Sequence, residues 1–223
     1  SGLWLGNVYG VYICCSLDYG ECYKMIAAEH CEQHEYIYIP EILPLELCKD
    51  LSDHLFQLKD KGELSHDSDC PLSFSIYGDT KFNAVLESLA ERISEILNYQ
   101  VLPTYTYARL YKHEEILKRH TDRAPCEISI TVTLDHDKNS EVWPIIMGEN
   151  ILNKKAFSIR EISKEKSICI EKGDGIIYKG CEVEHWREQY LGAWQTQGFF
   201  HFVNSEGPYQ EYGLDKRFSL DHK

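Results

Sequence analysis

After Asn98 the sequence falls into short segments rich in β-branched and aromatic residues. These are Thr104 to Tyr111 (TYTYARLY), Glu127 to Leu134 (EISITVTL), Trp143 to Met147, Phe157 to Ile162, Ser167 to Glu171, Gly175 to Tyr178, Glu182 to Trp186 and Gln197 to Val203. Turn-forming residues divide them at Asp135 to Ser140, Gly148 to Asn153, Gly173-Asp174 and Gly192. A short strand turns successive side chains to opposite faces and cannot cover its own apolar side. A row of such strands therefore predicts a sandwich or barrel.

The first half has a different rhythm. Tyr36 to Pro40 (YIYIP) reads as a strand ended by proline. Leu47, Leu51, Leu55 and Leu58 recur at helical spacing and predict a helix over Leu45 to Lys59. Phe82, Val85, Leu89 and Ile93 predict a second over Lys81 to Leu97. Helices first and strands after point to an α+β unit with the helices packed against an outer sheet. With 223 residues the chain fits one domain. Its expected parts are an N-terminal extension over 1–35, a supporting strand and helices over 36–100, a β core over 101–204 and a tail over 205–223.

Charge and cysteine usage narrow the partners. A formal net charge of −13 repels phosphate backbones and anionic membrane surfaces, so neither nucleic acid nor membrane is an expected partner. No apolar run reaches bilayer-spanning length. Val8 to Leu17, the most hydrophobic stretch near the start, lacks the basic leader and small-residue cleavage site of a signal peptide. Nine cysteines, an odd number without a CxxC pair, fit a cytoplasmic or other reducing intracellular compartment better than a disulfide scaffold. Cys126, Cys169 and Cys181 fall in or beside strands and read as buried small apolar residues.

The strongest chemical signal is His120-Thr121-Asp122. On an extended segment a His and an Asp one residue apart point to the same side and can hold one metal ion together. A His from a separate strand completes a set of three that leaves one face of the metal open. His185 lies in such a segment, beyond the Lys172-Gly173-Asp174 turn. The same pairing also describes an exposed polar couple at a strand end, so HxD alone does not decide between the two.

Taken together, Leu102 to Leu134 (LPTYTYARLYKHEEILKRHTDRAPCEISITVTL) and Gly173 to Val203 resemble the 2-oxoglutarate/Fe(II)-dependent oxygenase superfamily. The similarity is to the prolyl 4-hydroxylase-like branch, where a tyrosine-bearing strand precedes HxD, and it covers roughly residues 36–204. It implies a double-stranded β-helix, or jelly roll, with the N-terminal helices on its outer sheet. It further implies Fe(II) held by His120, Asp122 and His185, with Tyr111 contacting the co-substrate 2-oxoglutarate. Dioxygen would be the oxidant, and an unactivated C–H bond of a peptide, a protein residue, a free amino acid or a small metabolite the target. Retention of Asp122 favours hydroxylation.

Two positions depart from that branch. Glu114-Glu115 replace a usual glycine, and Trp194 and Gln195 stand where Lys or Arg would pair with the far carboxylate of 2-oxoglutarate. A guanidinium offers the bidentate fork a carboxylate prefers. Arg187, two residues beyond His185, and Arg109, two before Tyr111, are the candidate anchors, with Gln195 as a neutral second donor. Arg123, Trp186 and Tyr105 are candidate substrate contacts, and Lys118, Arg119 and Arg123 together predict a locally basic mouth. Two other classes fit the same pattern: a cupin-like metal enzyme that makes no use of 2-oxoglutarate, and a non-catalytic jelly-roll binding protein.

Overall fold

The computed structural model describes residues 36–153 and 165–221. The extension over 1–35 and the strand expected at Phe157 to Ile162 lie outside these residues. In chain order the strands are β1 (Tyr36–Ile39), β2 (Ser65–His66), β3 (Phe74–Tyr77), β4 (Val101–Lys112), β5 (Leu117–His120) and β6 (Ile128–His136). They continue with β7 (Ile145–Asn150), β8 (Lys166–Ile168), β9 (Gly175–Tyr178), β10 (Val183–Arg187) and β11 (Trp194–Asn204). Two long helices, α1 (Leu45–Asp60) and α2 (Thr80–Leu97), fall between β1 and β4.

The helices begin where local chemistry allows. Pro44 stands at the N-cap of α1 with φ fixed at −59° and an extended ψ of 141°, so the helix starts after it. At α2 the Asp79 carboxylate accepts from the amides of Lys81 and Phe82, which the first turn would otherwise leave unpaired. Asn98 ends α2 in the left-handed region, at φ 59°.

All named strands pair antiparallel. They make a seven-stranded sheet, in the order β1-β9-β6-β11-β4-β3-β2, and a four-stranded sheet, β5-β10-β7-β8. Leu51 and Leu55 of α1 and Phe82 and Leu86 of α2 pack in one cluster with Ile130, Val132, Phe200 and Phe202 from one face of the large sheet. The α+β expectation, with helices on the outer sheet, describes this arrangement.

Alternation then sends the neighbouring residues of the same strands to the other face. Those residues are largely polar, yet they are buried: Arg109, Thr131, Thr133, Gln195, Gln197 and His201. Two small apolar clusters accompany this face, one around Ile145, Met147 and Tyr178 and one around Tyr111, Leu117, Trp143 and Phe199. Burying so much polar surface costs free energy unless hydrogen bonds or a bound group offset it. The inner face is therefore where a site belongs.

Several expectations need adjustment. The segment 36–100 carries β2 and β3 as well as β1, and they extend the sheet beside β4. Ser65–His66 holds too few residues to show a period, and Phe74–Tyr77 (FSIY) has a single polar residue and no clear alternation. Likewise β5 (LKRH) lacks alternation. Cys126 is buried as expected, whereas Cys169 is exposed and Cys181 only half-buried. Among the described residues no helix is long and apolar enough to cross a membrane.

Candidate metal centre

His120 and His185 stand opposite each other in the register of β5 and β10, with ring centroids 4.3 Å apart. Asp122 joins them, and one ligand atom from each of the three lies within 4.8 Å of the others. Its Oδ1 is 3.5 Å from His120 Nε2 and 3.6 Å from His185 Nε2. Asp122 is positioned differently from the alternation argument. The strand ends at His120, and the Asp122 amide donates to the Gly180 carbonyl at 2.8 Å, so a contact between loops fixes the carboxylate.

Both imidazoles are set in one tautomer. His120 Nδ1 lies 2.7 Å from the Lys118 carbonyl and His185 Nδ1 lies 3.0 Å from the Val183 carbonyl. A carbonyl only accepts, so Nδ1 must carry the proton and Nε2 the lone pair, the form that ligates a metal. Burial alone would raise the Asp122 pKa, but the adjoining His120 and His185 imidazoles hold it well below the usual carboxylate range. His120 moves the other way: burial lowers its pKa, and Asp122 outweighs this to raise it. A cation shared by two lone pairs and one anionic oxygen suits this set.

A cavity of about 570 Å³ opens in front of these three residues, and its walls include Tyr105, Tyr107, Arg109, Leu117, Tyr178 and Arg187. Arg187 is 1% exposed. Its Nη1 donates to the Trp143 carbonyl and its guanidinium lies 4.9 Å from the Trp143 ring centroid, while Nε and Nη2 have no partner. Burial pushes the Arg187 pKa down. Arg109 is answered within the protein: Nε donates to Asp67 Oδ2 at 2.5 Å and Nη2 to Asp67 Oδ1 at 3.2 Å. Two unpaired donors on a buried cation are costly and fit an anionic group that brings two acceptors.

The remaining sequence candidates divide. Tyr111 is fully buried and is not among the residues that line the cavity; its hydroxyl accepts from Arg109 Nη1 at 3.3 Å. Gln195 stands opposite Tyr111 in register, but its Nε2 is committed to Gln197 Oε1 at 2.9 Å and its Oε1 is unpaired. It therefore presents an acceptor where a second donor was expected. Tyr105 and Arg123 line the cavity; Arg123 lies 4.3 Å from the Tyr105 ring and is paired at 2.8 and 3.0 Å with Asp215. Trp186 is not among the lining residues: Arg119 lies over its ring at 4.1 Å and its Nε1 donates to Glu188.

Sequence reasoning passed over Asp67, Ser129, Tyr178 and His201. Asp67 sits in a stretch without periodicity. Tyr178 packs edge-on to His185 at 4.9 Å, and its place in a short all-apolar segment gave no hint of this. His201 had no ligand partner at a suitable spacing, but it lines the same cavity.

No family model matches the sequence, and no curated protein matches it. The three-dimensional structure is similar to solved ones. Its fold is that of the 2-oxoglutarate/Fe(II) oxygenases. It is similar to a Pseudomonas putida prolyl-4-hydroxylase, with TM-score 0.60 and 14% identity over 81% of this chain and 98% of that one. Similar also is AviO1 from Streptomyces viridochromogenes Tue57, with TM-score 0.63 and 14% identity over 87% of this chain and 98% of that one. HygX from Streptomyces hygroscopicus, solved with nickel and 2-oxoglutarate bound, gives TM-score 0.60 and 10% identity over 80% and 86%.

Proposed function

We propose that this chain is a non-haem Fe(II)- and 2-oxoglutarate-dependent oxygenase built on a double-stranded β-helix. The observation that carries the reading is the meeting, in one cavity, of a His–Asp–His set and a buried arginine with two free donors. His120, Asp122 and His185 would hold the iron. Arg187 would receive the far carboxylate of 2-oxoglutarate through Nε and Nη2. Iron with 2-oxoglutarate and dioxygen supplies the oxidising power to hydroxylate an unactivated C–H bond.

The protein's own residues position and shield. Carbonyls of Lys118 and Val183 keep the two imidazoles in the ligating tautomer. Leu117, Ile145 and Tyr178 present apolar surface on the cavity wall and exclude water from the reacting centre. Asp67 neutralises Arg109, whereas Arg187 is a buried cation with donors available to the co-substrate. The substrate would enter between Ser68-Asp69 and the segment Lys118 to Arg123, and would be a peptidyl residue or a small molecule.

Turnover tests this reading. Succinate release, measured across peptides and free amino acids, should match consumption of 2-oxoglutarate and dioxygen one to one. N-oxalylglycine, an inert analogue with the same chelating head, should block it. Full-rate product formation without any 2-oxo acid would replace the reading with a cupin-like one.

A further inference from the structure

Asp122 has two oxygens, and only Oδ1 faces the imidazoles. Oδ2 lies 3.2 Å from Ser129 Oγ, and Ser129 Oγ lies 3.0 Å from His201 Nδ1. Ser129 and His201 are both buried on the inner face, on β6 and β11. Gly180 leaves the room this contact needs: a Cβ there would stand 2.3 Å from Ser129 Oγ and 2.5 Å from Asp122 Oδ2. We infer that Ser129, His201 and Gly180 are positioning residues that lock Asp122 Oδ2 away from the metal, so that the carboxylate ligates through Oδ1 alone.

The inference rests on the metal-centre reading above and extends it to how the carboxylate is held. Asp122 lies beyond the end of β5, so no strand ladder sets its side chain. The Ser129 hydroxyl has one proton, and the acceptors in its reach include Asp122 Oδ2, the Cys126 carbonyl at 3.3 Å and the Tyr178 hydroxyl. An ionised carboxylate is the strongest acceptor and takes it. Ser129 must then accept from His201, which fixes His201 with its proton on Nδ1. Burial lowers the His201 pKa to about 4, so the ring is neutral and has one proton to give.

A second metal site is the rival account, because Asp122, Cys126 and His201 also bring ligand atoms within 4.8 Å of one another. The contacts there favour a hydrogen-bonded network. Ser129 Oγ bridges Asp122 to His201, and Cys126 Sγ lies 2.9 Å from the Tyr105 hydroxyl.

Titration of the apoprotein with Co(II), reading affinity and visible d–d absorption, tests this without turnover. Wild type should take one Co(II) per chain. Ser129→Ala and His201→Leu should bind roughly 10–100-fold more weakly and with an altered d–d envelope, the usual scale when an outer partner of a metal ligand is removed. His201→Asn, whose amide N–H can replace Nδ1–H, should recover most of the affinity. Gly180→Ala should bind at least as poorly as Ser129→Ala. Thermal melts of the apo variants identify any that fail to fold; should His201→Leu do so, Ser129→Ala and His201→Asn carry the result. Wild-type affinity and spectrum in both Ser129→Ala and His201→Leu would overturn the inference and leave the triad standing. Two Co(II) per chain would overturn it in favour of a second metal. Wild type that binds none would overturn the triad itself.

Discussion

Arg109 and Arg187 are both buried on the inner wall, yet their surroundings divide their roles. Arg109 is held by Asp67, and Arg187 has two donors without a partner. Truncating one member of a buried charged pair typically costs on the order of 2–5 kcal/mol. Arg187→Ala should therefore raise the 2-oxoglutarate requirement by roughly 30-fold or more with iron affinity little changed. Arg187→Lys should restore only part, since an ammonium lacks the fork. Asp67→Ala should act on stability, costing on the order of 3–5 kcal/mol in denaturant unfolding because it strands a buried cation. The pH dependence has a definite sign. Burial raises the Asp67 pKa, but Arg109 outweighs it and lowers the folded value. The contribution of the pair is then complete above the unfolded pKa of about 4 and declines as pH falls below it. Wild type should lose this increment on acidification, and the Asp67→Ala protein should lack it. Arg187 was named from its parity with His185, although the register against β5 shifts between the two, whereas Asp67 was not, because ionic partners across a fold leave no periodic trace.

At the level of elements, α1 and α2 were readable almost to their ends, since leucines and isoleucines at helical spacing mark the face that packs on the sheet. Their caps are equally local. Asp79 caps α2 and also pairs with His54 of α1 at 3.0 Å, so one carboxylate ties both helices together. Asp79→Ala should cost about 1 kcal/mol for the cap alone, visible as a fall in Tm of about 2–4 °C. An unchanged Tm would mean that packing alone holds the start of α2. The strand β5 was missed because LKRH shows no alternation, and with it the reason for the position of Asp122. Sequence parity placed His120 and Asp122 on one side, but the Gly180 carbonyl does the placing. Contacts between distant loops are invisible to any local pattern.

On the scale of the whole molecule, the large sheet is buried on both faces and treats them differently. Its outer face is apolar and covered by the helices; its inner face is polar and turned toward the triad. The density of short strands in the second half foretold paired antiparallel sheets, and HxD with a distant His named three side chains that converge. The polar lining escaped notice because Thr131, Thr133 and Gln197 look like solvent-facing positions until a second layer covers them. The central claim is that this inner face holds iron and 2-oxoglutarate together. Anaerobic addition of Fe(II) and 2-oxoglutarate, followed by absorbance, tests it most directly. Wild type should develop the weak visible band of an Fe(II)–2-oxoglutarate complex, saturating at one iron per chain, and His120→Ala should fail to develop it while keeping its fold. No band in the wild type, or an unchanged band in His120→Ala, would contradict the account.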